Sequence, residues 1–216
     1  MFIKYLNHNF LFLWLKYSLS QYSRYRFIYD IILKLKPKTI LEIGVYKGKR
    51  SKEMIHLAKS FNKKIFYYGF DLFEDIKKSK INIELSKKPK SKKYLKKFIS
   101  QNAKNVHVDL IKGDTKKTLK SFSKKNIKID FVFIDGGHAV STIKSDWKYI
   151  KKIIGKKSVV VFDDYYDNSV ITRKFGCNKV IKNLENKYKY TILPSTDYVT
   201  ERKMSFKNSL VKVSYK

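Results

Sequence analysis

The sequence predicts an α/β fold: a doubly wound seven-stranded sheet, mostly parallel with an antiparallel last strand, and helices on both faces. Three observations carry that prediction. Two short β-branched and aromatic runs, Ile129–Ile134 and Ser158–Phe162, stop abruptly in acid, at Asp135-Gly-Gly-His138 and at Asp163-Asp164-Tyr165. Runs of this kind read as strands buried on both faces, as in parallel sheets. Between them, Ala139–Lys157 repeats Ile143, Trp147, Ile150 and Ile154 at helical spacing, which makes a β-α-β unit of ordinary size. The third observation is the glycine turn Gly44-Val-Tyr-Lys-Gly48, placed directly after the apolar run Thr39–Ile43.

The elements follow in order. Met1–Lys36 interleaves Phe2, Tyr5, Phe10, Phe12, Trp14, Tyr17, Tyr22, Tyr25, Phe27 and Tyr29 with Lys and Arg. It reads as a helical extension of one or two amphipathic helices, packed on the domain, on a second subunit or on a membrane surface, with packing on the domain favoured. Its apolar run Phe10–Leu15 is too short to span a bilayer, and no small-residue cleavage site follows. From Pro37 onward, residues 37–216 read as one domain. Thr39–Ile43 is a strand and its helix runs through Ser60. Ile65–Phe70 is the second strand, ending in Asp71. A Lys-rich connection with helical stretches spans 72–105. Val106–Ile111 is the third strand, ending in Gly113-Asp114, and a helix around Lys116–Ser123 leads to the acid-tipped pair. A helix near Lys179–Asn186 precedes strands Tyr188–Leu193 and Leu210–Tyr215, the latter alternating as a half-exposed strand does.

Composition narrows the class. The chain has 216 residues, enough for a core without staples, and its 43% hydrophobic content excludes a disordered chain. The single Cys177 excludes an internal disulfide and a Cys-based zinc site, and it fits a reducing cytoplasm. His8, His56, His107 and His138 show no paired metal-ligand spacing. The net charge of +31 invites nucleic acid or anionic membrane as partner. Yet only Arg24, Arg26, Arg50, Arg173 and Arg202 are arginines, and the lysines run from end to end. Nucleic-acid sites cluster their charge and lean on Arg, so compositional bias of an AT-rich genome is the favoured source. One local run, Lys87–Lys97, would steer an acidic substrate, although a solvated Lys-studded face is the commoner outcome.

In a β-α-β unit both strands run the same way, so Asp135, Asp163 and Asp164 are expected at the carboxyl edge of the sheet, where ligands bind. Three carboxylates there repel one another unless a cation sits among them, and a hard divalent ion held through oxygen is the simplest candidate. The bland alternative is that each acid caps the helix or turn after it. The glycine turn lacks the three glycines of a dinucleotide fingerprint, and Glu42-Ile-Gly-Val-Tyr-Lys-Gly48 offers a carboxylate instead. With Gly44 and Gly48 allowing close backbone approach, Glu42 suits an ammonium-bearing ligand. Asp71 is placed to accept from ribose hydroxyls. Asp114 is placed to accept from an exocyclic adenine amine. Ribose, adenine and a cationic amino-acid moiety together describe S-adenosylmethionine.

These segments resemble the class I S-adenosylmethionine-dependent methyltransferases, a Rossmann-like family, along most of Thr39–Asp197. Glu42–Gly48 resembles the family's first motif, Tyr68-Gly-Phe-Asp-Leu-Phe73 its ribose-binding segment, and Ile111-Lys-Gly-Asp114 its adenine-side segment. Phe131–His138 and Val161–Tyr165 are similar to methyltransferase family 24, itself related to the metal-dependent catechol and macrolide-sugar O-methyltransferases. The resemblance implies Mg²⁺ on Asp135, Asp163 and Asp164, a catalytic role for Asp135 beside the cofactor, and His138 as the base. It implies O-methylation of a hydroxyl on a sugar or other small molecule. Methylation of RNA or protein, and a non-catalytic cofactor-binding module, are the alternatives. The pair Asp163-Asp164 is closer to the sugar-modifying type. The implied chain is cytoplasmic, without a transmembrane segment. Peripheral membrane contact or a homo-oligomer would use the N-terminal helices.

Overall fold

A computed structural model of the chain describes residues 23–84, 87–101, 103–201 and 204–216. The expected N-terminal extension is therefore visible only from Ser23, and its first 22 residues lie outside the described residues. A single 3₁₀ turn, Ser23–Tyr25, opens into helix α1, Arg26–Leu35. Ile28, Tyr29, Ile31 and Ile32 fall on one face of α1 and are buried in the largest core cluster. Pro37 follows Lys36 and stops the helix.

The remaining elements alternate as the sequence implies. They are β1 Thr39–Ile43, α2 Lys49–Lys59, β2 Ile65–Asp71, α3 Lys78–Glu84, α4 Lys92–Ser100, β3 Val106–Lys112 and α5 Thr115–Phe122. There follow β4 Ile129–Ile134, α6 Val140–Ile153, β5 Ile154–Tyr166, α7 Asn178–Lys182, β6 Tyr188–Ile192, β7 Tyr198–Glu201 and β8 Met204–Tyr215. The sheet order is β3-β2-β1-β4-β5-β8-β6, with β7 pairing on β8. β1 through β5 are mutually parallel, and β8 runs antiparallel between β5 and β6.

Strand alternation sends successive side chains to opposite faces. Ile40, Tyr67, Val108, Phe131, Phe133 and Val161 face a layer that includes α1 and α2. Leu41, Phe70, Val132, Ile134, Val160 and Phe162 face α5, α6 and α7. The sheet is thus covered on both sides, which is why its central strands read as continuous apolar runs. The eighth strand, β7, was not expected. It is a four-residue hairpin arm on the first part of β8, from Tyr198 opposite Lys207 to Glu201 opposite Met204. A segment that short carries no readable period, and the same pairing extends β8 well before Leu210. Among the described residues no helix is long and apolar enough to cross a membrane.

Connections from β1 step outward through β2 to β3, and those from β4 step the other way. The direction reverses between β1 and β4, the crevice where open α/β sheets bind ligands. The Asp135 N–H donates to the Ile43 carbonyl at 2.8 Å and closes that edge.

Candidate active site

The turn after β1 is built around Gly44. Its φ of +92° lies in the left-handed region, and a Cβ there would stand 1.9 Å from the Asp135 carbonyl oxygen. No other residue fits. Asp71, at the end of β2, holds the turn: its Oδ2 accepts from the Val45 and Tyr46 N–H groups at 2.9 Å each. Its Oδ1 accepts from the Phe73 N–H at 3.1 Å and keeps a second lone pair for a hydroxyl. Tyr46 (φ 50°) and Phe73 (φ 50°) flank this carboxylate in the left-handed region, a conformation costing about 1–3 kcal/mol per residue and concentrated at functional sites. Gly48 (φ +75°) caps α2 and packs against Leu95 of α4.

Asp114 caps α5, its Oδ1 accepting from the Lys116 N–H at 2.9 Å, and its Oδ2 lies 3.6 Å from Lys80 Nζ. The Asp114 side chain is 39% exposed, open to a ligand as well as to its own helix. Glu42 departs from the expectation of a ligand-facing acid. It is 1% exposed, lies beneath the turn, and accepts from the Ser51 hydroxyl at 2.5 Å and from the Tyr67 phenol. Burial pushes its carboxyl up to about 7, although both hydroxyls favour the charged form. The alternation of β1 puts Glu42 on the same face as Ile40, toward α2.

The second group sits across the switch point. Ligand atoms of Asp135, His138 and Asp164 all lie within 4.8 Å of one another, and His138 Nε2 is 3.1 Å from Asp164 Oδ2. Asp164 reaches this position because β5 bulges between Phe162 and Tyr165 and its own φ is +63°. The Asp164 carbonyl accepts from the Cys177 N–H at 2.9 Å, and Asn208 Nδ2 holds its Oδ1 at 3.1 Å. Burial raises the Asp135 carboxyl well above the usual range, with repulsion from Asp163 and Asp164 adding to it.

Asp163 is not gathered into this group, contrary to the three-acid metal set. A strand alternates its side chains, and Asp163 lies on the face of Val161, toward α1. There Arg24 grips it with two bonds, Nε to Oδ1 and Nη2 to Oδ2, each 3.1 Å. Tyr25 donates to Oδ2 at 2.9 Å. Burial alone would raise the Asp163 carboxyl, but Arg24 outweighs it and holds it below the usual value. Arg24 also donates from Nη1 and from its backbone N–H to Asp197 Oδ2, at 3.0 and 3.3 Å.

Glu84, at the end of α3, caps α6. It accepts from the Ala139 N–H at 3.0 Å and the Thr142 hydroxyl at 2.7 Å, while its carbonyl accepts from the His138 N–H at 3.1 Å. The sequence reading passed over Arg24, Tyr25, Asp197, Glu84 and Asn208. For Arg24 a signal existed: it is one of five arginines in a chain that mostly uses lysine, and bidentate pairing with carboxylates is an arginine property.

The donor chemistry suits a hard divalent cation. Asp135 and Asp164 present oxygens that repel each other, and the cation would relieve that repulsion. Asp71 and the Gly44 turn suit the ribose end of S-adenosylmethionine.

A family model described as a methyltransferase domain matches residues 41–165, more than half the chain. No curated protein matches the sequence. The fold is similar to that of the O-methyltransferase of Bacillus cereus in complex with SAH (TM-score 0.61, 14% identity, covering 95% of this chain and 88% of that one). It is also similar to CalS11, a TDP-rhamnose 3'-O-methyltransferase of calicheamicin biosynthesis (TM-score 0.57, 18% identity, covering 95% and 80%). A third neighbour is TomG of Streptomyces achromogenes, an O-methyltransferase involved in tomaymycin synthesis (TM-score 0.57, 12% identity, covering 88% and 78%).

Proposed function

The chain belongs to methyltransferase family 24 and is an S-adenosylmethionine-dependent methyltransferase, and on that premise we propose that it methylates a hydroxyl oxygen of a small molecule, such as a sugar. The observation that carries this reading is the Asp135–His138–Asp164 group, set beside the Gly44 turn at the switch point of the sheet. Methyl transfer from a sulfonium is an in-line displacement that needs an electron-rich oxygen held in place. S-adenosylmethionine supplies the methyl group, and Asp135 and Asp164 would hold a divalent cation such as Mg²⁺, which when bound would lower the hydroxyl's pKa.

The chain's own residues do the rest. Asp71 takes a ribose hydroxyl on the free position of Oδ1 while its other bonds hold the turn rigid. His138 turns Nε2 toward Asp164, so the neutral tautomer carries its proton there and Nδ1 accepts the hydroxyl proton. Asp164 then stabilises the imidazolium. Asn208 and the Cys177 N–H fix Asp164 for that task. The sugar-modifying neighbour, the resemblance of Asp163-Asp164 to that type, and a sequence with only five arginines and lysines spread from end to end support a small acceptor over a nucleic acid. The buried free Cys177 fits a reducing, cytoplasmic setting.

The test is methyl transfer from labelled S-adenosylmethionine to a panel of sugar nucleotides and hydroxylated metabolites, with and without EDTA. His138→Ala should lower turnover about 10²- to 10⁴-fold at neutral pH and leave cofactor affinity within about threefold. Full turnover in that variant would remove His138 as the base, and full turnover in EDTA would remove the cation.

A further inference from the structure

We propose that Arg24 is a positioning residue of the acceptor site: it occupies Asp163 and so confines a divalent cation to Asp135 and Asp164. This inference rests on the cation-assisted reading above, but it concerns which acids are free to bind.

A carboxylate offers about four acceptor positions, two per oxygen. At Asp163 all four are filled. Oδ1 accepts from Arg24 Nε at 3.1 Å and from the Asp164 N–H at 2.8 Å, and Oδ2 accepts from Arg24 Nη2 at 3.1 Å and from the Tyr25 hydroxyl at 2.9 Å. A cation bound through either oxygen must displace one of these bonds. Asp163 is 2% exposed and Arg24 6%, so the displaced partner would be stranded away from water. Arg24 cannot escape by losing its proton. It is also moored on its far side, where Nη1 and the backbone N–H both donate to Asp197. Asp197 itself is tied to β8, since its carbonyl accepts from the Asn208 N–H at 2.9 Å.

Asp164 is differently placed. Asn208 engages its Oδ1, the Tyr166 hydroxyl also bonds its carboxylate, and its Oδ2 faces His138 at the point shared with Asp135, with no guanidinium fork across the two oxygens. Adjacent ligands of an octahedral ion at about 2.1 Å stand about 3 Å apart, so two carboxylates within 4.8 Å close on an ion with small side-chain movement. Mg²⁺ commonly binds through one or two carboxylates and keeps waters elsewhere, so a two-acid site suffices. The third acid's charge is met by the guanidinium, and Arg24 thereby joins the segment before α1 and the β6–β7 connection to the tip of β5. Asp163 is near enough to Asp135 for the two charges to repel, so a device of this kind gives a sign that a structural ion pair does not: with Arg24 removed, Asp163 turns its charge to the ion and tightens metal binding.

The experiment is titration of the full chain with Mn²⁺ alone, followed by electron paramagnetic resonance and calorimetry, with no S-adenosylmethionine present. Asp164→Asn should weaken Mn²⁺ binding at least tenfold. Asp163→Asn should change it less than threefold. Arg24→Met should tighten it at least tenfold, and Arg24→Lys, which loses the fork but keeps the charge, should fall between. If Arg24→Met does not fold, the near-isosteric Asp163→Asn still decides. Equal loss in Asp163→Asn and Asp164→Asn would overturn the inference, as would weaker binding in Arg24→Met. Mn²⁺ binding to none of these proteins would also overturn it, while methyl transfer measured separately would still stand or fall on its own.

Discussion

The two halves of the site solve the same electrostatic problem differently. On the cofactor side, Asp71 and Glu42 are satisfied by neutral donors: backbone N–H groups of the glycine turn for one, the Ser51 and Tyr67 hydroxyls for the other. On the acceptor side, Asp135 and Asp164 face each other beside His138, and the charge of Asp163 next to them is met by Arg24. Neutral donors fix geometry in any ionic condition and hold the cofactor half in shape before a ligand arrives. Two facing carboxylates leave the acceptor half sensitive to whatever cation is present, which suits a site that must raise and then lower the charge on an oxygen.

Gly44→Ala is the hardest way to break the cofactor half. The added Cβ meets backbone at 1.9 Å on a left-handed residue, so overpacking and backbone strain together should cost about 5 kcal/mol. Urea unfolding should show that loss, and cofactor binding should be undetectable by calorimetry. A stable variant with intact binding would mean the turn is not rigid.

Asp163→Ala strikes the acceptor half next hardest. It takes from the buried Arg24 the carboxylate that holds its fork, and removing one partner of a buried pair costs about 4 kcal/mol. Substituting both residues together, Arg24→Met with Asp163→Leu, should recover most of that, and the double-mutant cycle measures the coupling. A loss below about 1 kcal/mol in the single variant would erase the contrast between the halves.

Glu42→Gln gives the smallest and most specific effect. The folded carboxyl titrates at about 7 against 4.5 unfolded, so the native state binds the extra proton between those values. The stability it contributes is full below about pH 4.5 and lost as pH rises through 7, about 3 kcal/mol in all at about 1.4 kcal/mol per unit. Glu42→Gln removes this dependence, so its stability relative to the parent should rise between pH 5 and pH 8. Parallel pH profiles for the two proteins would show that Glu42 is ionised beneath the turn throughout.

Much of this was legible in the residues. The strand ends at Asp71, Asp114 and Asp135 follow from apolar runs that stop in acid, and the Gly44 turn follows from glycine placed directly after a strand. Glu42 was legible as an acid at a strand end, but not as a buried one, because its cover comes from Tyr67 on the neighbouring strand and Ser51 on the next helix. Asp163 and Asp164 look equivalent in a linear reading. They part company only through the bulge in β5 and the left-handed Asp164, which are properties of the strand's pairing with β8.

The sequence alone therefore determined which acids reach the carboxyl edge, because hydrophobic period and strand polarity are local and both are written in consecutive residues. Tertiary structure decided which of those acids stay free to act. Arg24 meets Asp163 across 139 positions and Asp197 across 173, and no local rule names a partner at that distance. Only the docking of α1 and the β6–β7 connection onto the end of β5 brings the charges together.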